Sequence, residues 1–471
     1  MTPVPATAAG AAAPRQGAPS PGAATQLSDP GVQAAPPAGV ATWDAAATAA
    51  APSAVSAPAA SVVPGGAALP VGHTPTRLRA ASALAALAGI ALALFGAWTL
   101  QARTTALHAA ASDAAQLVRL QQIDTSLVSA DAAVTNAFLV GGLEPAASRQ
   151  AYDEAITSAT GQIAQAAAAQ PADAAALEAL NQRVISYVAL IEQARANNRQ
   201  LLPVGSGYLS AGSAQLRSDV LPVVDVLVDT TQARIDGEFA SAGRHTATLL
   251  ALGVAVLALL VLLSVWHARR FRRVINVPLA VGTVAALLAV AAGTAALVVA
   301  DGRADDVRSG VLAHALAISD ARTAGFDAKA QESLGLVNRG RGPTFEKQWG
   351  AAAETVRTRT AGSGSASTEL LADWDAYTSA HAAIRADDDN GAWERAVAKA
   401  VARGDGSANA AFESFAQRSG QALDEQASAA AEDLRAARAP LTWAAILVVV
   451  LGLLAAAGGV LGFAQRSREY Q

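Results

Sequence analysis

Cysteine is missing from all 471 residues. That excludes disulfides, thiolate metal sites, a cysteine nucleophile and a lipoprotein anchor on this chain. Aromatic residues make up only 4%, so apolar packing must rest on aliphatic side chains. A surplus of positive charge is missing as well. With a formal net charge of -4 and arginines that are scattered or gathered beside apolar stretches, no basic face dominates and a nucleic-acid partner is not expected. Charge all but disappears from stretches 78–100, 247–266, 277–300 and 441–463, which hold no Asp, Glu or Lys and a single Arg, Arg79 at the start of the first. Each is long enough to cross a bilayer, since roughly 20 helical residues cover its ~30 Å hydrocarbon core.

What is present is written twice. A shift of about 197 residues carries the first apolar stretch onto the third and the second onto the fourth. The same shift carries Phe138-Leu139-Val140 onto Gly335-Leu336-Val337 and Tyr152 onto Trp349. A Gly/Pro break follows in both copies, Gly141-Gly142-Leu143-Glu144-Pro145 and Arg339-Gly340-Arg341-Gly342-Pro343.

Ahead of the first apolar stretch, residues 1–75 are mainly Ala, Pro, Gly, Ser and Thr. They bury too little apolar surface to offset ordering entropy, so a disordered tail is expected there. The stretch 78–100 starts too late and runs too long for a signal peptide, and reads as an uncleaved anchor. Arg77 precedes it and Arg79 is its second residue, Arg269, Arg270, Arg272 and Arg273 sit in the link 267–276, and Arg466 and Arg468 lie in the end segment 464–471. The positive-inside rule puts these ends in the cytoplasm of a multi-pass cell-membrane protein and the segments 101–246 and 301–440 outside.

Both outer segments carry helical patterning. Leu120, Ile123, Leu127, Ala130, Val134 and Ala137 recur at steps of three and four, as do Leu177, Leu180, Val184, Tyr187 and Ile191. In the second copy Leu370, Trp374, Tyr377, His381 and Ile384 do the same, and Phe412, Phe415, Leu423 and Leu434 mark a last helix. Such spacing buries seams between near-parallel helices. The expected fold is all-α: four transmembrane helices and two tandem extracytoplasmic four-helix bundles, whose first and last helices continue into the spans. Pro222 is expected to interrupt or kink the last helix of the first bundle.

No constellation for catalysis emerges: no nucleophile with a base, no phosphate-binding glycine loop. The chain is read as a non-enzyme with no catalytic residue, no cofactor and no metal. The histidines His73, His108, His245, His267, His314 and His381 form no H-x-x-x-H or H-E-x-x-H pattern, and His381 reads as a packed seam residue rather than a ligand. Asp387-Asp388-Asp389 lacks the spaced oxygens and closing Glu of a calcium loop and reads as a solvated helix end. Trp349, Trp374 and Trp393, at helical spacing, read as core. Bundle tips are where a soluble partner can reach, which singles out Glu144 and Arg149 in one copy, and Arg339 and Arg341 in the other, as partner-contact candidates of opposite local charge. Gly458 and Gly462 can bring spans close together, within one chain or in a homo-oligomer.

Around Ser129-Ala130-Asp131, around Asn136-Ala137-Phe138-Leu139-Val140-Gly141-Gly142-Leu143-Glu144-Pro145, and at Trp374, Tyr377, His381, Ile384, Gly391 and Trp393, the chain resembles a family of actinobacterial four-pass membrane proteins. One member of that family links an extracytoplasmic glutamate- or glutamine-binding lipoprotein to serine/threonine protein kinase G inside the cell. The resemblance covers residues 76–466 and carries over no residue-level site. It implies a sensor-adaptor that relays glutamate, glutamine or aspartate availability from a solute-binding lipoprotein to a cytoplasmic kinase, indirectly or through the tail. Two other classes compete with it: a chemoreceptor-like protein that binds a small ligand directly between helices, and a structural subunit of a transport or envelope complex.

Overall fold

The structure is a computed structural model that describes residues 74–271 and 276–467. Of the stretch 1–75 read as a tail, residues 1–73 lie outside the described residues, as do Arg272, Arg273 and Arg468. Every regular element among the described residues is helical. The first repeat comprises α1 (Thr74–Val140), α2 (Ala146–Ala169), α3 (Ala174–Arg199), α4 (Val204–Gln215), α5 (Leu221–Ala240) and α6 (Ala242–Phe271). The second comprises α7 (Val277–Asp306), α8 (Ala313–Val337), α9 (Gly342–Ala361), α10 (Ser367–Asp389), α11 (Trp393–Val401) and α12 (Ala408–Ser467). Four helical runs are long and apolar enough to cross a membrane: Thr76–Val140, Val204–Arg270, Val277–Val337 and Ala408–Gln465.

α1 is a single helix of 67 residues, roughly 100 Å at 1.5 Å per residue. It ends at Val140 because Gly141 (φ 72°) and Gly142 (φ 65°) take left-handed backbone that residues with a Cβ avoid. The sequence stripe Leu120, Ile123, Leu127, Ala130, Val134 is buried in one core with Tyr152 of α2, Leu177, Val184 and Tyr187 of α3, and Leu209 and Val224 of α4 and α5. The second bundle is built around Trp374, Tyr377, Ile384 and Phe415.

The second bundle departs from a plain four-helix plan. A short helix, α11, is inserted between α10 and α12, and α12 starts only at Ala408. Glycines in left-handed backbone at Gly404 (φ 110°) and Gly406 (φ 75°) make the turn between them. Pro222 does not end the helical run Val204–Arg270, but the regular α-helix is interrupted just before it. A π-helical turn at Leu216–Val220 precedes it, and Pro222 falls in the first turn of α5, next to the irregular turn where a missing N–H is accommodated. α12 continues through Pro440. A proline there cannot bond the carbonyl of Ala436, and the Arg303 guanidinium donates to that oxygen instead at 3.3 Å.

The two bundles share their cores. Leu139 of α1 is packed in the second bundle and Leu334 of α8 in the first, and Thr125 and Thr323, 198 residues apart, meet at 3.2 Å. α1 and α8, which correspond in the repeat, therefore lie side by side along a pseudo-twofold seam.

Among the spans, α12 sits between α1 and α7. Its Gly452 lies against the backbone of Ala93, where an added Cβ would come within 2.8 Å of Ala93 N, and Gly459 lies against Ala85. On its other face Gly458 meets Pro278 O and Gly282. Small residues at such steps let helices approach closely where no hydrophobic drive separates protein from lipid. Gly458 and Gly462 thus face α7 and the turn before it inside the chain, Gly462 against Asn276 and Leu279.

Candidate functional site

The seam between the repeats is stitched by arginines. Near the span end, Arg103 on α1, only 1% exposed, donates through Nε to Asp301 Oδ1 at 2.8 Å and through a terminal nitrogen to Glu238 O at 3.1 Å. Further out, two π-helical turns each place an arginine as their second residue, Arg217 in Leu216–Val220 and Arg308 in Val307–Leu312. Each reaches the opposite repeat: Arg308 pairs with Asp236 at 2.7 Å, and Arg217 with Asp327 at 2.6 Å. A π turn adds one residue to the helix and rotates the succeeding turns about its axis, so it re-aims a side chain that regular spacing would leave elsewhere.

Arg217 also holds a fully buried carboxylate. Asp131 of α1 accepts from Arg217 at 3.0 Å, from Ser213 Oγ at 2.6 Å and from Tyr187 Oη at 3.3 Å. Burial alone would lower the guanidinium's pKa, but Asp131 and Asp327 outweigh it and raise the value. Nearby, Asp124 keeps part of its surface open. Burial of its carboxyl pushes its pKa up to about 7; Asp225, Asp320 and Asp327 push the same way, while the Thr323 hydroxyl opposes.

A second polar knot lies inside the second bundle. Glu332 accepts from Lys329 Nζ at 2.6 Å and from Tyr377 Oη at 3.3 Å, and His381 Nδ1 lies 2.8 Å from it. His381 Nε2 faces Glu346 at 3.2 Å, and Trp349 stacks on the imidazole at 3.8 Å. Burial favours the neutral acid, yet Lys329 and His381 hold Glu332 down to about 2. Burial pulls His381 down too, but Glu332 and Glu346 raise it above its ordinary value. His381 is the seam residue that its spacing indicated, with the addition that its two carboxylate neighbours come from other helices.

Each tip candidate has a partner within its own bundle, although Arg339 and Arg341 remain exposed. Glu144 pairs with the nearly buried Arg195 at 2.8 Å, and that guanidinium covers the Tyr152 ring at 4.1 Å. Arg149 bonds Asp153 at 3.0 Å and Glu192 at 3.2 Å. Arg339 lies 3.4 Å above the Trp393 ring and Arg341 5.8 Å from that of Phe345. The first tip also exposes apolar side chains: Leu143 is 83% exposed and Leu201 76%, with Leu202, Val204 and Val140 also outward. Leu201 adopts φ 54°, a left-handed conformation costing a non-glycine residue about 1–2 kcal/mol. The Leu201-Leu202 pair beside Pro203 was the available sequence signal.

The acidic run is not simply solvated. Asp387 pairs with Lys399 at 2.7 Å, and Asp388 and Asp389 both pair with Arg385, at 2.6 and 2.5 Å. Of the tryptophans, Trp374 is fully buried, whereas Trp349 and Trp393 are half-buried, the latter donating to Leu336 O at 2.9 Å.

Between the bundles is a cleft of about 640 Å³. Its floor is alanine from α1 and α2, its end wall is Phe326 and Phe412, and Glu154, Glu413 and Arg403 stand at its rim. Arg403 crosses it to Ser148 Oγ at 3.3 Å, and Asn136 meets Asn409 at 3.3 Å.

Residues 106–240 match the family model described as the actinobacterial sensor domain. No curated protein and no solved structure matches the chain. The matched range runs along α1 beyond its apolar stretch to the end of α5, which is the first bundle. The chain is thus a membrane protein with four long apolar helices whose first bundle is similar to an actinobacterial sensor domain.

Proposed function

We propose that the protein is a sensor-adaptor without catalytic activity of its own. In this reading both bundles stand outside the cell and both termini are cytoplasmic. The outer bundles meet a solute-binding lipoprotein loaded with glutamate, glutamine or aspartate, and the change is relayed to a cytoplasmic serine/threonine kinase. The observation that carries the reading is α1, which joins the sensor-type bundle to a membrane-crossing stretch in one unbroken helix of 67 residues. A rigid helix anchored at its tip transmits axial or rotational displacement along its length. The seam arginines tie that helix to the second repeat, so both bundles respond together. Leu143 and Leu201 give a lipoprotein an apolar landing point at the tip.

The test is affinity capture of the full-length protein from its own membranes, with and without each amino acid. A ligand-dependent solute-binding protein is expected, and Leu143→Asp with Leu201→Asp should weaken its recovery about tenfold or more, in line with loss of two central apolar contacts. Recovery of no such partner contradicts the adaptor reading.

A second reading, direct binding of a small amphoteric ligand, is favoured by the cleft between the bundles, whose lining includes Arg403 and Lys329 together with Glu154 and Glu413. Calorimetry on the purified chain separates the two: heat on adding an amino acid without any partner supports direct binding.

A further inference from the structure

At the basic end of the spans, α1 and α6 leave a groove of about 660 Å³ between them. Its walls are Ala80, Ala81 and Leu84 of α1, with Leu262, Leu263 and Trp266 of α6. Leu84 is 49% exposed and Leu262 68%, so the groove opens sideways from stretches that cross the hydrocarbon layer. An apolar groove at that depth is covered by acyl chain or by protein, not by water.

Two cations stand at its mouth. Arg77 and Arg269 line the groove from opposite helices and are both exposed. Neither helix offers them a counter-charge, because no Asp or Glu occurs in residues 76–112 or 239–300. A planar guanidinium matches a phosphate diester in two hydrogen bonds, and Trp266 sits beside Arg269 at the depth where indole rings favour the headgroup boundary.

The geometry points to a bound anionic glycerophospholipid, its phosphate held between Arg77 and Arg269 and one acyl chain laid along Ala80, Leu84 and Leu262. A zwitterionic lipid fills the same apolar space but brings its own cation to the two arginines. The negative headgroup is therefore selected by charge. The lipid bridges the helices that lead into and out of the sensor-type bundle, which makes the composition of that leaflet an input distinct from any ligand outside.

The experiment uses the full-length protein in nanodiscs of mixed phosphatidylglycerol and phosphatidylcholine, followed by release and native mass spectrometry of retained lipid. Phosphatidylglycerol should be retained in preference, and Arg77→Gln and Arg269→Gln should each lower its retention about fivefold. Ala80→Trp, which fills the groove and leaves both arginines, should expel the lipid as well, whereas Arg244→Gln at the opposite end of α6 should not. Equal retention of the two lipids, retention unchanged in the double arginine variant, or a second copy of the chain cross-linked into the groove with lipid absent would each overturn the assignment.

Discussion

Arg217 and Asp327 meet at 2.6 Å across the line where the two repeats join, and the same guanidinium neutralises Asp131 at the centre of the first bundle. One side chain thereby links the interior of one bundle to the surface of the other. Arg308 and Asp236 repeat the relationship in the opposite sense at 2.7 Å.

Arg217→Met should therefore be costly. It strands the Asp131 carboxylate, which is 0% exposed, with only Ser213 and Tyr187 as donors, a loss of about 3–5 kcal/mol. Asp327 is 30% exposed, and Asp327→Asn should cost less than about 1 kcal/mol. Adding Asp131→Asn to Arg217→Met should restore part of the loss. Thermal unfolding of the four proteins in one bilayer mimetic checks the order; equal destabilisation by both single changes contradicts it.

Above about pH 5, where the lowered carboxylates such as Glu332 are already ionised in both states, Asp124 and His381 should make stability fall as pH rises to mildly alkaline. The Asp124 carboxyl is raised in the folded state from 3.8 to about 7. Its contribution is present in full below 3.8 and is lost as pH rises through about 7. His381, raised above 6.5, adds a further decline as its own elevated pKa is passed. Asp124→Asn should raise stability at pH 8 by about 2 kcal/mol, less than the full shift implies because part of the residue is open to solvent. It should change little at pH 4. Unfolding midpoints of both proteins across that range decide the matter, and a gain that is the same at every pH contradicts the assignment.

In the spans, Gly452→Val should destabilise by about 1–3 kcal/mol, because its side chain would collide with the Ala93 backbone. Gly161, with nothing within 4 Å of an added Cβ, is the contrast. On α2, Gly161→Ala should stabilise by up to about 1 kcal/mol. Parallel thermal denaturation of the two variants distinguishes close α1–α12 packing from a loose bundle, in which both changes would be mild.

Spacing alone revealed the helices that bury their apolar stripes. Leu120, Ile123, Leu127, Ala130 and Val134, like Leu177, Leu180, Val184, Tyr187 and Ile191, are buried where steps of three and four place them. The breaks at Gly141–Pro145 and at Gly362 were marked by clusters of Gly, Pro and Ser, which favour turns over helix. α11 escaped notice because nine residues hold too few turns for a stripe, although Arg403-Gly404-Asp405-Gly406-Ser407 spelled out the turn after it. The seam was hidden for a different reason. Arg217, Asp236, Arg308 and Asp327 look like ordinary solvated charges on their own helices, and only the side-by-side packing of α1 and α8, with two π turns that no periodicity announces, gives them partners. At the tip, charge in the sequence did not announce that Glu144 and Arg149 pair within the first bundle, nor that Leu143 and Leu201 stand exposed beside them.

The central claim is that both bundles stand together on the outer face, joined to the membrane by continuous helices. Because the chain has no native cysteine, single substitutions Thr157→Cys, Thr355→Cys and Arg270→Cys can be probed in intact cells with a membrane-impermeant maleimide. The account predicts labelling at 157 and 355 and none at 270 until the cells are opened. Labelling of only one bundle, or of 270 in intact cells, contradicts it.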